Sequence, residues 1–180
     1  MKITKQVTLT GTRPIMFDRY IGMKKQLSPL DKAYLSTTSP DDLILPFLNI
    51  QSFLSAQNTE SAPQRVVGRG WKQIAKAALT FVDISPFEIP ILRGDRVATK
   101  ADLIIDYRKA IIKKGALAIP SDKERPVLPL PWSMEFTITL YENPDLDEYT
   151  LRKLFEDGGV QIGFGTYRGA FGKFEVTKWE

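Results

Sequence analysis

The C-terminal third changes its hydrophobic period twice, and this constrains the fold more than any other feature of the chain. In "WSMEFTITLYE", Met134, Phe136, Ile138 and Leu140 alternate with Glu135, Thr137 and Thr139, which describes a strand with one buried face. "NPDLDEYTLRKLFEDGG" then moves to helical spacing, with Leu151, Leu154 and Phe155 as the buried stripe. Asp145 and Glu148 have capping-box spacing, and Gly158 stands where a helix-ending C′ glycine belongs. "KFEVTKWE" alternates again. The order is strand, helix, glycine-rich segment, strand.

The first third adds the complementary pieces. "KITKQVTLTGTRPIMF" opens with a half-buried strand carrying Ile3, Val7 and Leu9, with Gly11 as a bulge or end and Pro14 marking an edge or a strand end. "DRYIGMKKQLSPLDKAYL" is charged and broken by Ser-Pro, so it reads as irregular. Leu43 to Leu45 form a short strand. After Pro46, Ile50, Phe53 and Leu54 lie at helical spacing, with Asn49 as the candidate cap. "TESAPQRVVGRG" is a connector. "WKQIAKAALTFVDI" is amphipathic through Trp71, Ile74, Ala75, Ala78 and Leu79, and runs from a helix towards a strand at Phe81 to Ile84. From Ser85 to Pro131, strand-like runs are broken by prolines and read as a β-hairpin or excursion. The expectation is an α+β chain, one domain over residues 1–180, with residues 85–131 inserted into it.

The residue types present narrow the chemistry. The chain has no cysteine and no histidine. Disulfides, thiolate nucleophiles, Ser-His-Asp triads and nearly all zinc sites are excluded. Glu135, Asp145, Asp147 and Glu148 lack metal-ligand spacing, so neither a metal nor another cofactor is expected. No apolar run is long enough to span a membrane. The first residues alternate and carry no signal-peptide apolar region, which points to a cytoplasmic protein. A net charge of +4 admits an acidic partner without requiring one.

"IGFGTYRGAFGKFEV" is the most distinctive stretch. Gly163, Gly165, Gly169 and Gly172 stand among Tyr167, Phe171, Arg168 and Lys173. A phosphate-binding P-loop follows a strand and opens a helix, ending in Gly-Lys-Ser/Thr; a dinucleotide fingerprint also joins strand to helix. Here the segment follows a helix and opens a strand, and no Ser or Thr follows Lys173. Two readings stay open. One is a turn that sets the last strand. The other is a turn that also presents its backbone amides and Arg168 to phosphates, with Tyr167 or Phe171 as a stacking face. Further cations cluster at Arg13, Arg19, Lys24 and Lys25, at Arg65, Arg69 and Lys72, and at Arg108, Lys113 and Lys114. Their interleaving with Tyr20, Trp71 and Tyr107 suits single-strand binding if the clusters share a surface. Otherwise each is a solvated basic face. Trp132 and Trp179 read as packing residues. Asp18 reads as a loop acid, solvated or paired with Arg13 or Arg19.

The ending "LRKLFEDGGVQIGFGTYRGAFGKFEV" resembles the C-terminal pattern of the RAMP superfamily of CRISPR-associated proteins, through Gly163, Gly165, Arg168, Gly172 and Val176. Ala170-Phe171 departs from the Gly-Phe pair more usual there. "ILPFLNIQSFLSAQN" is similar to the family's segment after the first strand. Pro46, Ile50 and Leu54 match in character, Asn49 and Ser52 stand at its small-Ser pair, and Gln57 replaces its usual basic residue. The resemblance implies a ferredoxin-like (RRM-like) core with insertions. It also implies a role like that of the backbone subunits lining a guide RNA in antiviral defence complexes. Many repeat-processing endoribonucleases of the superfamily use a catalytic histidine, absent here. Some backbone subunits carry an RNA-cleaving aspartate in a loop where Asp18 lies. The expected function is sequence-tolerant binding of single-stranded RNA or DNA, as a homo-oligomer or among other subunits. The alternatives are an assembly protein of a phage or mobile element and a metal-dependent nuclease using Asp18.

Overall fold

The structure, a computed structural model, describes the chain apart from residues 21, 23–27 and 57–59 and the side chains of residues 112 and 114. Its main sheet is antiparallel and is built on β1 (Lys2–Gly11), β9 (Ser133–Tyr141) and β10 (Phe174–Trp179). β1 pairs with β9 along its length, with Ile3 opposite Leu140, Val7 opposite Phe136 and Leu9 opposite Met134. Because side chains alternate across a strand, this register gathers the apolar positions on one face. Val7, Leu9 and all four apolar residues of β9 are buried there, while Ile3 at the strand's start stays exposed.

The other strands extend this sheet. β3 (Ile44–Pro46), β4 (Val82–Ser85), β5 (Glu88–Arg93) and β6 (Arg96–Val97) complete it. β4 pairs with the C-terminal half of β9, and β5 with its N-terminal end. One edge-to-edge path is therefore β10-β1-β9-β4. α1 (Phe47–Ser55) and α2 (Trp71–Phe81) cross between β1 and β4, and α3 (Glu148–Gln161) crosses between β9 and β10. The residues expected to form an insertion divide in two. β5 belongs to the main sheet, whereas β7 (Ile104–Lys114) and β8 (Leu117–Leu128) form a long hairpin whose base pairs with β2 (Ile15–Met16).

An aromatic cluster joins helices to sheet. Phe53 of α1 lies 5.7 Å from Phe155 of α3, 5.0 Å from Phe164 and 5.8 Å from Phe174, ring centre to ring centre. Gly158 and Gly159 lie inside α3, buried, where a Cβ would strike Phe53 and Phe174 respectively. Gly158 is thus a packing residue and not the helix end, and α3 continues to Gln161. The cap is also displaced from the expected one. Asn143 Oδ1 accepts from the Asp145 and Leu146 N–H groups, which places Asp145 in an Asx turn. Asp147 caps α3 instead, its Oδ1 accepting from Thr150 N–H at 2.7 Å. Asn49 is no cap either, since α1 starts at Phe47 behind Pro46. In α2, Ala77 is buried while Leu79 faces outward.

The opposite face of the sheet carries hydroxyls and amides. Thr4 meets Thr139 at 3.2 Å, Gln6 meets Thr137 at 2.9 Å and Thr10 meets Thr177 at 2.9 Å. Tyr141, exposed at the end of β9, lies on the same face.

Candidate nucleic-acid interface

The interface grows from the end of β1. A Cβ on Gly11 would run into the Trp132 ring, and Trp132 Nε1 donates to Arg13 O at 2.8 Å. This pins the chain so that residues 12–14 run beside the end of the glycine segment. Thr12 and Arg13 N–H groups donate to Lys173 O, and Gly172 N–H donates to Pro14 O at 2.7 Å. β2 then enters the crevice between the hairpin base and the glycine segment: it pairs with Val127 and Leu128 on one side, and Met16 O accepts from Thr166 N–H on the other. Phe17 and Asp18 emerge at a cavity of about 320 Å³, shared with Tyr34, with Asn49 and Ser52 of α1, and with Gly165, Thr166 and Arg168.

The glycines now have a physical account. A Cβ at Gly172 would collide with Phe164 O, one at Gly163 with Gly172 O, and one at Gly165 with Met16 O. These are close backbone crossings that admit no side chain. Most of the segment's amides are consumed by them. Phe164 N–H donates to Gly172 O, Thr166 N–H to Met16 O, Gly169 N–H to Ile162 O and Phe171 N–H to Tyr167 O. The expectation that backbone amides from Gly163 to Gly172 cradle phosphates is corrected for these amides, which satisfy the fold's own carbonyls.

The Arg168 side chain is differently placed. Its Nη1 donates to Glu60 O at 2.9 Å and its Nε reaches Gly165 O at 3.4 Å. Burial pushes its pKa below the usual arginine range, against the opposing influence of Glu60 and Tyr34. An arginine stays protonated through such a shift, so the cavity holds a fixed, partly desolvated cation with further N–H donors.

Tyr167, at a left-handed φ of 57°, turns away towards the hairpin. The Arg108 guanidinium lies 5.0 Å from the Tyr167 ring centre and 5.2 Å from that of Phe171, and Arg125 lies 5.5 Å from Tyr167. Arg108 also donates to Asp106 and thereby holds the Asp106 carboxyl below its usual range. Arg125 Nε donates to Asp18 Oδ2 at 2.8 Å. The expected aromatic stacking faces are therefore engaged with the hairpin's own cations, and Asp18 pairs with Arg125 rather than with Arg13 or Arg19.

The sequence candidates separate as follows. Asp18, Gly165 and Arg168 meet at the cavity. Arg108 and Tyr167 join at the hairpin base, and Arg13 is exposed beside Lys173. Arg65 pairs with Glu60 at 3.4 Å, which ties it to the residue whose carbonyl holds Arg168. Arg19 Nη2 donates to Asp31 O at 3.1 Å. Arg69 and Lys72 line a different recess, with Gly68, Gly70 and Trp71. Lys113 is exposed along the hairpin. Lys24, Lys25 and the side chain of Lys114 lie outside the described residues. Phe17, Tyr34, Thr166 and Arg125 escaped the sequence reading. For Arg125 a signal existed: an arginine abutting the apolar run Pro126 to Leu128, which is buried with it. Among the described residues, no three acidic side chains gather as metal ligands, and no helix is long and apolar enough to cross a membrane.

No family model and no curated relative matches the sequence. The fold is similar to that of a chain in the cryo-EM structure of the Type III-B Cmr-beta bound to cognate target RNA, with a TM-score of 0.59 at 12% identity. The match covers 99% of this chain and 60% of that one, so this chain spans about three fifths of its neighbour. The likeness is one of fold.

Proposed function

We propose that this protein binds single-stranded RNA as one subunit of a larger ribonucleoprotein. The observation that carries this reading is the cavity in which Arg168 meets Asn49 and Ser52 of α1 and the close-packed glycine segment. A fixed guanidinium beside amide and hydroxyl groups suits a phosphate and its ribose. The strand order β10-β1-β9-β4, with crossing helices after β1 and β9, supports a ferredoxin-like core of the kind the RAMP resemblance implies. The RNA-bound neighbour favours RNA over DNA. Exposed Ile104, Tyr107, Ile111 and Leu117 on the hairpin suit contacts with further subunits. Phosphate contacts read no base edges, so binding is sequence-tolerant.

Fluorescence anisotropy with a labelled mixed-sequence oligoribonucleotide tests the reading. Binding is expected at low salt and weakens as salt rises. Arg168→Ala is expected to weaken it by about tenfold and to lower the salt slope by about 0.7, one phosphate contact on a single strand. The absence of binding at low salt, or equal binding by the variant, refutes it. An oligodeoxyribonucleotide of the same sequence reports whether the 2′-hydroxyl matters.

The reading is one of binding without catalysis. The Asp18 carboxylate is occupied by a buried arginine, which suits a positioning role. The competing reading, metal-dependent cleavage through Asp18, requires product formation that Asp18→Asn abolishes while binding survives.

A further inference from the structure

Arg125 is 7% exposed, on β8, and lies behind Asp18 rather than in the cavity lining. Its Nε is spent on Asp18, but its Nη1 is buried with no partner among the described residues. A buried N–H without an acceptor is costly to keep, and a charged one more so. The surrounding charges do not supply that acceptor. Asp106, opposite Arg125 across the hairpin, is engaged by Arg108. Glu60 lies beside Arg65 and Arg168. The neighbourhood thus holds more arginine than carboxylate, and Asp18 is the acid that meets both Arg125 and the cavity.

We propose that Arg125 is a concealed phosphate-binding residue, and that Asp18 is the internal anion occupying its place until a nucleic-acid phosphate arrives. The inference rests on the reading of this cavity as a nucleic-acid interface. A phosphate beside Arg168 shares the cavity with the Asp18 carboxylate, and like charges in one cavity repel. Asp18 sits on irregular chain with its side chain 24% exposed, whereas Arg125 is held in a strand. The carboxylate is therefore the partner that swings away, and the phosphate takes over Nε together with Nη2, on the same edge of the guanidinium, as a bidentate acceptor, while the unpartnered Nη1 leaves the site short of negative charge. Asp18 acts as a brake: it keeps a buried cation neutralised in the free protein and lowers affinity for the strand.

The test uses the full chain and a labelled 12-nucleotide RNA. Asp18→Asn removes the competing charge and keeps the side chain's size. Its affinity at low salt is expected to rise about fivefold or more, and its salt slope to steepen by about 0.7, a further phosphate contact. The gain is expected to vanish in Asp18→Asn/Arg125→Gln. Equal or weaker binding by Asp18→Asn, or a gain that survives in the double variant, overturns the proposal. Should either variant fail to fold, the wild-type protein answers through the arginine Nε–Hε resonances followed by NMR during titration. Shifts of both the Arg168 and Arg125 signals support the exchange. A shift of Arg168 with Arg125 unmoved overturns it while leaving the interface standing, and no binding at all removes the interface itself.

Discussion

Gly172 and Gly169 offer a controlled comparison of crowding against backbone conformation. Both have left-handed φ, +70° and +88°. A Cβ at Gly169 meets open space, whereas one at Gly172 would overlap Phe164 O. Alanine at Gly169 therefore incurs the left-handed penalty alone, about 1 kcal/mol. Alanine at Gly172 incurs the same penalty and must also push two strands of backbone apart. Gly172 N–H donates to Pro14 O at 2.7 Å and its carbonyl accepts from Phe164 N–H at 2.9 Å, so both bonds are strained or lost. A buried backbone group left unmade costs about 1–3 kcal/mol, and with two such bonds Gly172→Ala comes to about 3–7 kcal/mol. For a domain of this size that lowers the melting temperature by about 6–28 °C, against about 2–4 °C for Gly169→Ala. Urea denaturation of the two variants beside the wild type measures both. Equal losses would show that close packing does not explain the glycines.

Other consequences follow from named contacts. Phe53→Ala removes the ring shared by Phe155, Phe164 and Phe174 and is expected to cost about 3–5 kcal/mol in urea denaturation; a loss under about 2 contradicts the hub. Asp147→Ala is expected to cost about 1 kcal/mol and Asp145→Ala next to nothing, and the reverse order would return the cap to Asp145. Tyr167→Ala frees Arg108 and Arg125 from their shared ring, so amide exchange at the hairpin base is expected to quicken, and unchanged exchange argues against the docking. Asp106, Asp147 and Glu148 are held below their usual pKa, first of all by hydrogen bonds from Arg108, Thr150 and Lys5 respectively. Their folded values lie under the unfolded ones, so their stabilisation is complete above roughly pH 4–5 and is lost as pH falls through the folded values. Thermal scans are expected to be level from about pH 7 to 5 and to fall below about 4, and a rise on acidification contradicts the assignment.

The elements readable from sequence were those whose causes are local. Met134 to Leu140 alternate because one face of a strand is buried, and that pattern needs no knowledge of the partner strand. The stripe of Leu151, Leu154 and Phe155 and the turn residues before it set α3 to within a few positions. The hairpin announced itself through paired apolar runs, though β5 was indistinguishable from it: a short run with a proline reads alike in an insertion and at the end of a sheet.

What the tertiary structure decided were matters of partnership. Gly158 looked like a helix end because glycine ends helices, and only Phe53 packing against it makes it an interior residue. Asp18 had nearby arginines to choose from, yet it pairs with Arg125, 107 residues away, because β2 is threaded between the hairpin base and the glycine segment. The glycine pattern was visible from the start, but its use of amides was not. A sequence records which residues tolerate a close crossing, while the carbonyl that arrives there is delivered by a different part of the chain.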